Sequence, residues 1–158
     1  MSQLPNLEDL GDISGKRVLV RTDFNVPLDN GIIRDDLRIR EAIPTLKYLV
    51  DNGAEVTTCT HLGRPKGKFE EKYSLDPVRV RLNEILPGIK LLDNLRFNPG
   101  EESNDPRFIE QLVSGQDIYV NDAFGASHRN HASITGPPQL LPSAAGRLLQ
   151  NEVEILLQ

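Results

Sequence analysis

The sequence contains one cysteine, no tryptophan and few aromatic residues, and each shortage excludes a class of protein. Because Cys59 is the only cysteine, an intrachain disulfide and a cysteine-rich zinc site are both excluded. Aromatic residues make up 5% of the chain and the formal net charge is -5, which disfavours a nucleic-acid partner. No apolar run is long enough to span a bilayer, and the first residues lack a signal-peptide pattern. We therefore predict a cytoplasmic protein with neither a membrane nor a nucleic-acid partner.

The composition that remains is that of one globular domain. The chain has 158 residues, of which 38% are hydrophobic and 26% are charged. These proportions suffice for a single hydrophobic core and do not indicate disorder or a fibrous structure. We predict one domain over residues 1–158 and expect a monomer.

Strand-like and helix-like segments alternate along the chain. An apolar, β-branched run predicts a first strand over roughly 17–24. A helical pattern follows within 34–53, with Asp35 or Asp36 as N-cap, Gly53 past the end and Pro44 as a kink or late start. The further predictions are strands at 54–60, 88–95 and 116–124, and helices at 74–86, 104–115 and 141–157. This alternation predicts an α/β fold, a three-layer α/β/α Rossmann-like parallel sheet.

Cationic side chains follow the predicted strands. In an open parallel sheet, ligands bind outside the carboxyl ends of the strands, so these loops are the ones to search. All three histidines fall there. A single arginine in a loop is more often a solvated surface charge, but several that converge favour an anion site. The polar residues of these loops are Arg21, Asp23, Asn25, His61, Arg64, Lys66, Lys68, Arg96, His128, Arg129 and His131, and Arg38 lies at the start of the first predicted helix.

Other phosphate and metal motifs are not supported. The loop GRPKGK has one residue too few between its glycines for a Walker motif and lacks the hydroxyl residue after its lysine. The chain has no G-x-G-x-x-G string for a dinucleotide. The HRNH segment spaces His128 and His131 three apart, but no third ligand is evident, so we predict no metal site.

Seven segments in order resemble the amino-terminal domain of phosphoglycerate kinase. They are GKRVLVRTDFNVP, LRIREAIPTL, THLGRPKGK, SLDPV, DNLRFNPGEESND, YVNDAFGASHRNHAS and LPSAAGRLL. The resemblance runs from about residue 7 to the end of the chain, and the combination of DFNVP, HLGRP and NDAFG is specific. It implies a glycolytic phosphotransferase with a carboxyl group as acceptor, which transfers a phosphoryl group between 1,3-bisphosphoglycerate and ADP to give 3-phosphoglycerate and ATP.

The resemblance also implies roles for individual residues. It assigns Asp23 and Asn25 to the glycerate end of the substrate, and Arg21 to the surrounding basic patch. It assigns Arg38 to the catalytic stabilisation of the phosphoryl group in transfer. The residues that it assigns to the carboxylate and phosphate of 3-phosphoglycerate or 1,3-bisphosphoglycerate are Arg38, His61, Arg64 and Arg129.

Two features of this chain differ from the family pattern. The family's glycine-rich nucleotide segments and magnesium-binding aspartate are absent, so Mg-ATP or Mg-ADP is expected on a missing carboxyl-terminal domain. The chain alone is then expected to bind 3-phosphoglycerate without full catalysis. The connection near Pro87 and Gly88 is shorter by roughly one strand–helix unit. The alternative is a stand-alone, non-catalytic binding module for small phosphorylated or carboxylate anions.

Overall fold

The computed structural model describes residues 4–127 and 129–157, and their centre is a parallel sheet. Within these residues the sheet has five strands in the order β5-β4-β1-β6-β7. Every neighbouring pair runs parallel, which confirms the predicted α/β class. A hairpin of β2 and β3 lies outside the sheet. The strands are β1 Arg17–Arg21, β2 Leu28–Asp29, β3 Ile32–Ile33, β4 Glu55–Cys59, β5 Lys90–Leu91, β6 Ile118–Asn121 and β7 Ser143–Ala145.

Helices connect the strands of the sheet. They are α1 Leu37–Asp51, α2 Asp76–Ile85, α3 Gly100–Ser103, α4 Pro106–Val113, α5 Ala132–Thr135, α6 Pro137–Leu140 and α7 Arg147–Leu157. Single 3-10 turns lie at Leu7–Leu10, Glu71–Tyr73, Leu95–Phe97 and Phe124–Ala126. None of the helices in the described ranges is long and apolar enough to cross a membrane.

Alternate residues of β1 pack into separate cores on the two faces of the sheet. Val18 and Val20 join the larger cluster, which contains the buried faces of α1 and α2. Leu19 packs instead with Tyr119 of β6 and with Leu112 of α4. Because side chains alternate along a strand, this division shows that helices cover both faces of the sheet.

The predicted helix at 141–157 is wrong in its first part. Ser143–Ala145 is a strand, β7, which pairs with β6 through Tyr119 and its neighbours. The helix α7 begins only at Arg147. Three small residues are too few to show the two-residue period of a strand, and the apolar spacing of the following helix hides them. The sheet therefore has one strand more than the sequence pattern predicts.

Pro44 lies inside α1 without ending it. The helix continues from Leu37 to Asp51. Proline removes the hydrogen bond to the carbonyl of Arg40, four residues before it. Both Pro44 and Arg40 are exposed, so water can solvate that carbonyl. The predicted late start is wrong, because the proline occupies the outer face of the helix.

Threonine hydroxyl groups in and after β4 are satisfied by neighbouring segments. Thr58 donates from Oγ1 to the carbonyl of Lys90 on β5 over 2.8 Å. Thr60 accepts from the N–H of Phe24 at 2.9 Å. Both threonines are fully buried. A buried hydroxyl is stable when it is hydrogen bonded, so this strand tolerates polar residues inside the fold.

The hairpin of β2 and β3 is an element that the sequence analysis does not predict. Asn30 and Gly31 connect the two strands with φ angles of 50° and 77°. Positive φ at both central residues is typical of a type I′ turn, and Asn-Gly is its most frequent sequence. The signal is present in the sequence, but each strand is only two residues long.

Candidate anion-binding site

Three neighbouring strands deliver the polar loops to one edge of the sheet. β1 lies between β4 and β6, so the segments after Arg21, Cys59 and Asn121 start side by side. The N–H of Thr22 donates to the carbonyl of Cys59 at 2.9 Å, which ties two of these segments together. The predicted position of the site at the carboxyl edge follows from this strand order.

Asp23 orients Arg38 at this edge. Nη1 of Arg38 donates to Oδ1 of Asp23 at 2.9 Å and to Oδ2 at 2.8 Å. Arg38 lies in the first turn of α1, and its side chain is half exposed. The Asp23 carboxylate therefore neutralises part of the arginine charge and leaves its remaining N–H groups to point toward solvent or a ligand.

Asn25 connects the loop after β1 to the loop after β4. Its Oδ1 atom accepts a hydrogen bond from the N–H of Gly63 at 3.1 Å. Gly63 has a φ angle of +64°, and a Cβ atom there would lie 2.2 Å from Cε1 of Tyr73. Only glycine fits this position without displacing the tyrosine ring.

Asn94 and Arg96 are not among the residues assigned to the substrate, although Asn94 lies at the end of the third predicted strand and Arg96 directly follows that strand. Nδ2 of Asn94 donates to the carbonyl of Leu62 at 2.7 Å, and Oδ1 accepts from the N–H of Leu62 at 3.2 Å. Nη1 of Arg96 donates to the carbonyl of Gly63 at 3.0 Å. These two side chains hold the loop that contains His61 and Arg64. The signal in the sequence that could have identified these two residues is an amide side chain and a cation at the end of a predicted strand.

Arg21, which the resemblance assigns to the surrounding basic patch, is fully buried in the structure. It is the last residue of β1, two residues after Leu19, and its exposure is 0%. Alternation along the strand directs it to the face that α3 and α5 cover, where Nε donates to Oγ of Ser133 at 2.9 Å. Its side chain is therefore inside the protein and contacts the site through His61.

His61 is held in its neutral form. Its exposure is 8%, and Nδ1 accepts from Nη2 of Arg21 at 2.9 Å. Burial, which is the largest cause, and the positive charges of Arg21, Arg96 and Arg129 together lower the pKa of His61 to about 2. The imidazole contributes a hydrogen-bond donor to the site but no charge.

The remaining cations of the predicted site are at the surface. Arg64, Lys66, Lys68 and Arg129 are exposed. Arg129 is near enough to lower the pKa values of His61 and Arg96, so it belongs to the same cluster. No contact of the Arg64 side chain fixes it within the described residues. His128 lies outside the described residues.

Two recesses flank this cluster. A cavity of about 840 Å³ is lined by Asn25, Gly63 and Tyr73 among others, but by none of the site arginines. A smaller recess of about 200 Å³ lies between the Asp23–Arg38 pair and Leu148 of α7. Arg38 therefore lines the smaller recess, and Arg64, Arg96 and Arg129 line neither of the two.

Comparison with known proteins connects this chain to one enzyme family. A sequence profile described as phosphoglycerate kinase matches residues 7–90 and 87–158. The chain belongs to the phosphoglycerate kinase family. The chain is similar to phosphoglycerate kinase from Moorella thermoacetica, with 51% identity over 95% of this chain and 44% of the relative. A solved phosphoglycerate kinase from Coxiella burnetii matches at a TM-score of 0.92, with 36% identity over 98% of this chain and 44% of that chain.

The comparisons confirm that the chain is shortened inside the aligned region. The alignment to the M. thermoacetica phosphoglycerate kinase spans 174 positions, more than the 158 residues of this chain. The two matched parts of the family profile meet at residues 87–90, where the sequence predicts the short connection. This connection leads into β5, an edge strand, so the inner strands β4, β1 and β6 stay continuous.

The chain spans less than half the length of the phosphoglycerate kinases that it matches. A relative from Volvox carteri, 50% identical over 94% of this chain and 38% of the relative, is a chloroplastic phosphoglycerate kinase. At least one relative is therefore chloroplastic, and the cytoplasmic assignment of this chain stays a prediction.

Proposed function

We propose that this chain is the substrate-binding half of a phosphoglycerate kinase and that it binds 3-phosphoglycerate or 1,3-bisphosphoglycerate at the carboxyl edge of the sheet. The observation that carries the proposal is the convergence of arginine side chains around the buried His61, whose pKa is lowered first by burial and then by the charges of Arg21, Arg96 and Arg129. Several positive side chains that converge on one point create a positive potential suited to a phosphate and a carboxylate.

The contacts indicate a different role for each of the residues that we propose to bind the substrate. The exposed guanidinium groups of Arg64 and Arg129 are free to form paired hydrogen bonds with phosphate or carboxylate oxygens. His61 adds a neutral N–H donor. Asp23 and Asn25 are the residues that we propose for the glycerate hydroxyl and carboxylate, and the hydrogen bonds from Arg38 to Asp23 limit the arrangement of the Arg38 side chain.

Arg38 is the residue that we propose for catalysis. Phosphoryl transfer depends on alignment and on stabilisation of charge on the equatorial oxygens, and a permanently protonated arginine supplies both. Its position in the first turn of α1, with Nη1 fixed by Asp23, leaves the other donors available to the phosphoryl group.

The second substrate is proposed to bind elsewhere. Mg-ATP or Mg-ADP is assigned to a second domain, and closure of the two domains would bring the substrates together and exclude water. Among residues 4–127 and 129–157, no group of three His, Cys, Asp or Glu side chains is placed to hold a metal ion. We expect the 158-residue chain to bind 3-phosphoglycerate without completing the reaction.

An amide-resolved NMR titration of the chain tests this proposal. 3-Phosphoglycerate should shift the signals of Asp23, Arg38, His61, Arg64 and Arg129, and Mg-ATP in a parallel titration should not. A folded chain that gives no response to 3-phosphoglycerate would overturn the proposal. Equal responses to 3-phosphoglycerate, inorganic phosphate and citrate would favour the stand-alone anion-binding module instead.

A further inference from the structure

A buried chain of hydrogen bonds runs from α3 to His61. Glu101 of α3, Ser133 of α5 and Arg21 of β1 each have an exposure of 0%. Oε2 of Glu101 accepts from the Ser133 hydroxyl at 2.6 Å, and Nε of Arg21 donates to the same hydroxyl at 2.9 Å. Nη2 of Arg21 then donates to Nδ1 of His61 at 2.9 Å. Residues more than 100 positions apart in sequence are thus joined in one network.

The chemistry of the partners fixes the direction of every bond. Arginine has N–H donors and no acceptor, so Nδ1 of His61 must accept and cannot carry a proton. The proton of the neutral ring is therefore on Nε2. The Ser133 hydroxyl has one hydrogen, which it gives to Glu101, so only its lone pairs face Arg21. Reversing any one bond would place two donors against each other.

Glu101 is the end of the network and its counter-charge. Its Oε1 atom accepts from the N–H of Ser133 at 2.9 Å, so the carboxylate is held by the backbone and the side chain of one residue. Oε2 lies 3.9 Å from Nη2 of Arg21. A buried guanidinium requires a negative partner, and Glu101 supplies it without contacting His61.

We propose that Glu101 and Ser133 are positioning residues that fix the guanidinium of Arg21 and thereby hold His61 in the tautomer with its proton on Nε2. Within the described part of the chain, Nε2 of His61 has no hydrogen-bond partner, so this N–H is available to a ligand. That the ligand is the carboxylate or phosphate of 3-phosphoglycerate rests on the proposed function. The tautomer itself does not.

The network gives the site a donor whose direction does not depend on pH. A histidine free to choose its tautomer would present an acceptor to the anion part of the time, which repels a carboxylate or phosphate oxygen. Because burial and the neighbouring cations lower the pKa of His61 to about 2, the ring also stays neutral. Arg21 therefore determines which nitrogen is protonated. Ser133, held by Glu101, fixes Nε of Arg21, and the carbonyl of Thr22 accepts from Nη1.

The test uses nitrogen NMR of the histidine side chains in the ligand-free 158-residue chain, with His61 assigned from a His61→Gln variant. The wild type should show one tautomer at His61, protonated at Nε2. Ser133→Ala removes the bridging hydroxyl, so Arg21 should turn toward Glu101 and His61 should show a mixture of tautomers. Ser103→Ala is the control, because Ser103 is exposed and its hydroxyl only donates to the carbonyl of Pro99.

A second variant keeps the test decisive if Ser133→Ala does not fold. Glu101→Gln preserves shape, removes the counter-charge and should also mix the tautomers at His61. In either variant we expect the affinity for 3-phosphoglycerate to fall about tenfold, the order of one charge-assisted hydrogen bond. A pure Nε2-protonated ring in both folded variants, or an Nδ1-protonated ring in the wild type, would overturn the inference. A wild-type chain in which His61 has a single Nε2-protonated tautomer, but which does not bind 3-phosphoglycerate, would overturn the proposed function and support the tautomer assigned to His61.

Discussion

Asp122 accepts a hydrogen bond at Oδ1 from the N–H of Leu148 over 2.9 Å, and so joins the end of β6 to the first turn of α7. The same oxygen accepts from the N–H of Leu149 at 3.3 Å. Gly146 makes this approach possible, since a Cβ atom there would lie 2.2 Å from Oδ1. The carboxyl group is nevertheless inside the protein, with an exposure of 1%. Burial raises the pKa of Asp122 to about 7, although the backbone hydrogen bonds lower it.

The raised pKa of Asp122 predicts that its contribution to stability decreases with increasing pH. The folded pKa is about 7 and the ordinary value is 3.8, so the folded protein holds the proton more tightly than the unfolded chain. The contribution of Asp122 to the free energy of unfolding is at its full value below about pH 4 and is lost as the pH rises through about 7. The total loss is about 4 kcal/mol. Asp122→Asn does not titrate and keeps an acceptor for α7. Urea unfolding across this range should show the variant gaining stability relative to the wild type as pH rises.

Asp117, which immediately precedes β6, provides the control for this experiment. Hydrogen bonds from the N–H and the side chain of Arg17 lower the pKa of Asp117 below its ordinary value. Its titration therefore lies below the window of the Asp122 experiment. Asp117→Asn should parallel the wild type between about pH 4 and about pH 7. A parallel course for Asp122→Asn as well would show that Asp122 titrates normally.

Replacement of Arg38 should separate ligand binding from folding. Arg38→Ala removes a charge-assisted contact, and we expect the dissociation constant for 3-phosphoglycerate to rise by roughly 10-fold to 150-fold. Arg40→Ala is the matched control on the same helix, because Arg40 pairs with Asp36 and is not part of the site. Calorimetric titration of both variants makes the comparison. The same affinity in Arg38→Ala as in the wild type would remove Arg38 from the site.

The position of the site was predictable because it depends on features that are local in sequence. The apolar runs that become β1 and β4 are long enough to identify, and parallel strands place their carboxyl ends at one edge. The loops after them therefore lie along the same edge, and they meet because β1 and β4 are neighbours in the sheet, which the sequence did not predict. Asp23, Asn25 and His61 were predicted at that edge because they come at or after the ends of predicted strands, and the structure has them there.

The burial of Arg21 was not predictable from sequence. It depends on where β1 ends and on which face of the sheet the residue points to. Its partners Glu101 and Ser133 come from two four-residue helices, too short to show a helical period. The strand β7 was missed for a similar reason, since three small residues carry no alternation. Contacts between distant segments decide these features, and a single sequence does not reveal them.

The titration of His61 should lower the free energy of unfolding as the pH falls, which is the opposite of the effect of Asp122. The folded pKa is about 2 and the ordinary value is 6.5, so below about pH 6.5 the unfolded chain binds a proton that the folded protein does not. Its contribution is complete above that pH and falls by about 2 kcal/mol at about pH 5. His61→Gln lacks this titration. Urea unfolding at the two pH values should therefore show the variant losing less stability than the wild type on acidification, and equal losses would contradict a depressed pKa.

Gly63 should be a position where the loop of His61 and Arg64 tolerates no side chain. A Cβ atom there would lie 2.2 Å from Cε1 of Tyr73, and the φ angle is +64°. Gly31→Ala is the matched control, because Gly31 has a φ angle of +77° but nothing within 4 Å of its Cβ position. Both substitutions place alanine in the left-handed region, at a cost of about 1 kcal/mol.

Only Gly63→Ala adds a collision with an aromatic ring, so it should cost about 1–3 kcal/mol more in the free energy of unfolding. The displaced loop should also lose the hydrogen bond from the N–H of Gly63 to Asn25 and bind 3-phosphoglycerate more weakly. Tyr73→Ala in the Gly63→Ala background removes the ring and should restore most of the difference between the two glycine variants. Without that recovery, the strain at Gly63 would have to come from its backbone and not from Tyr73.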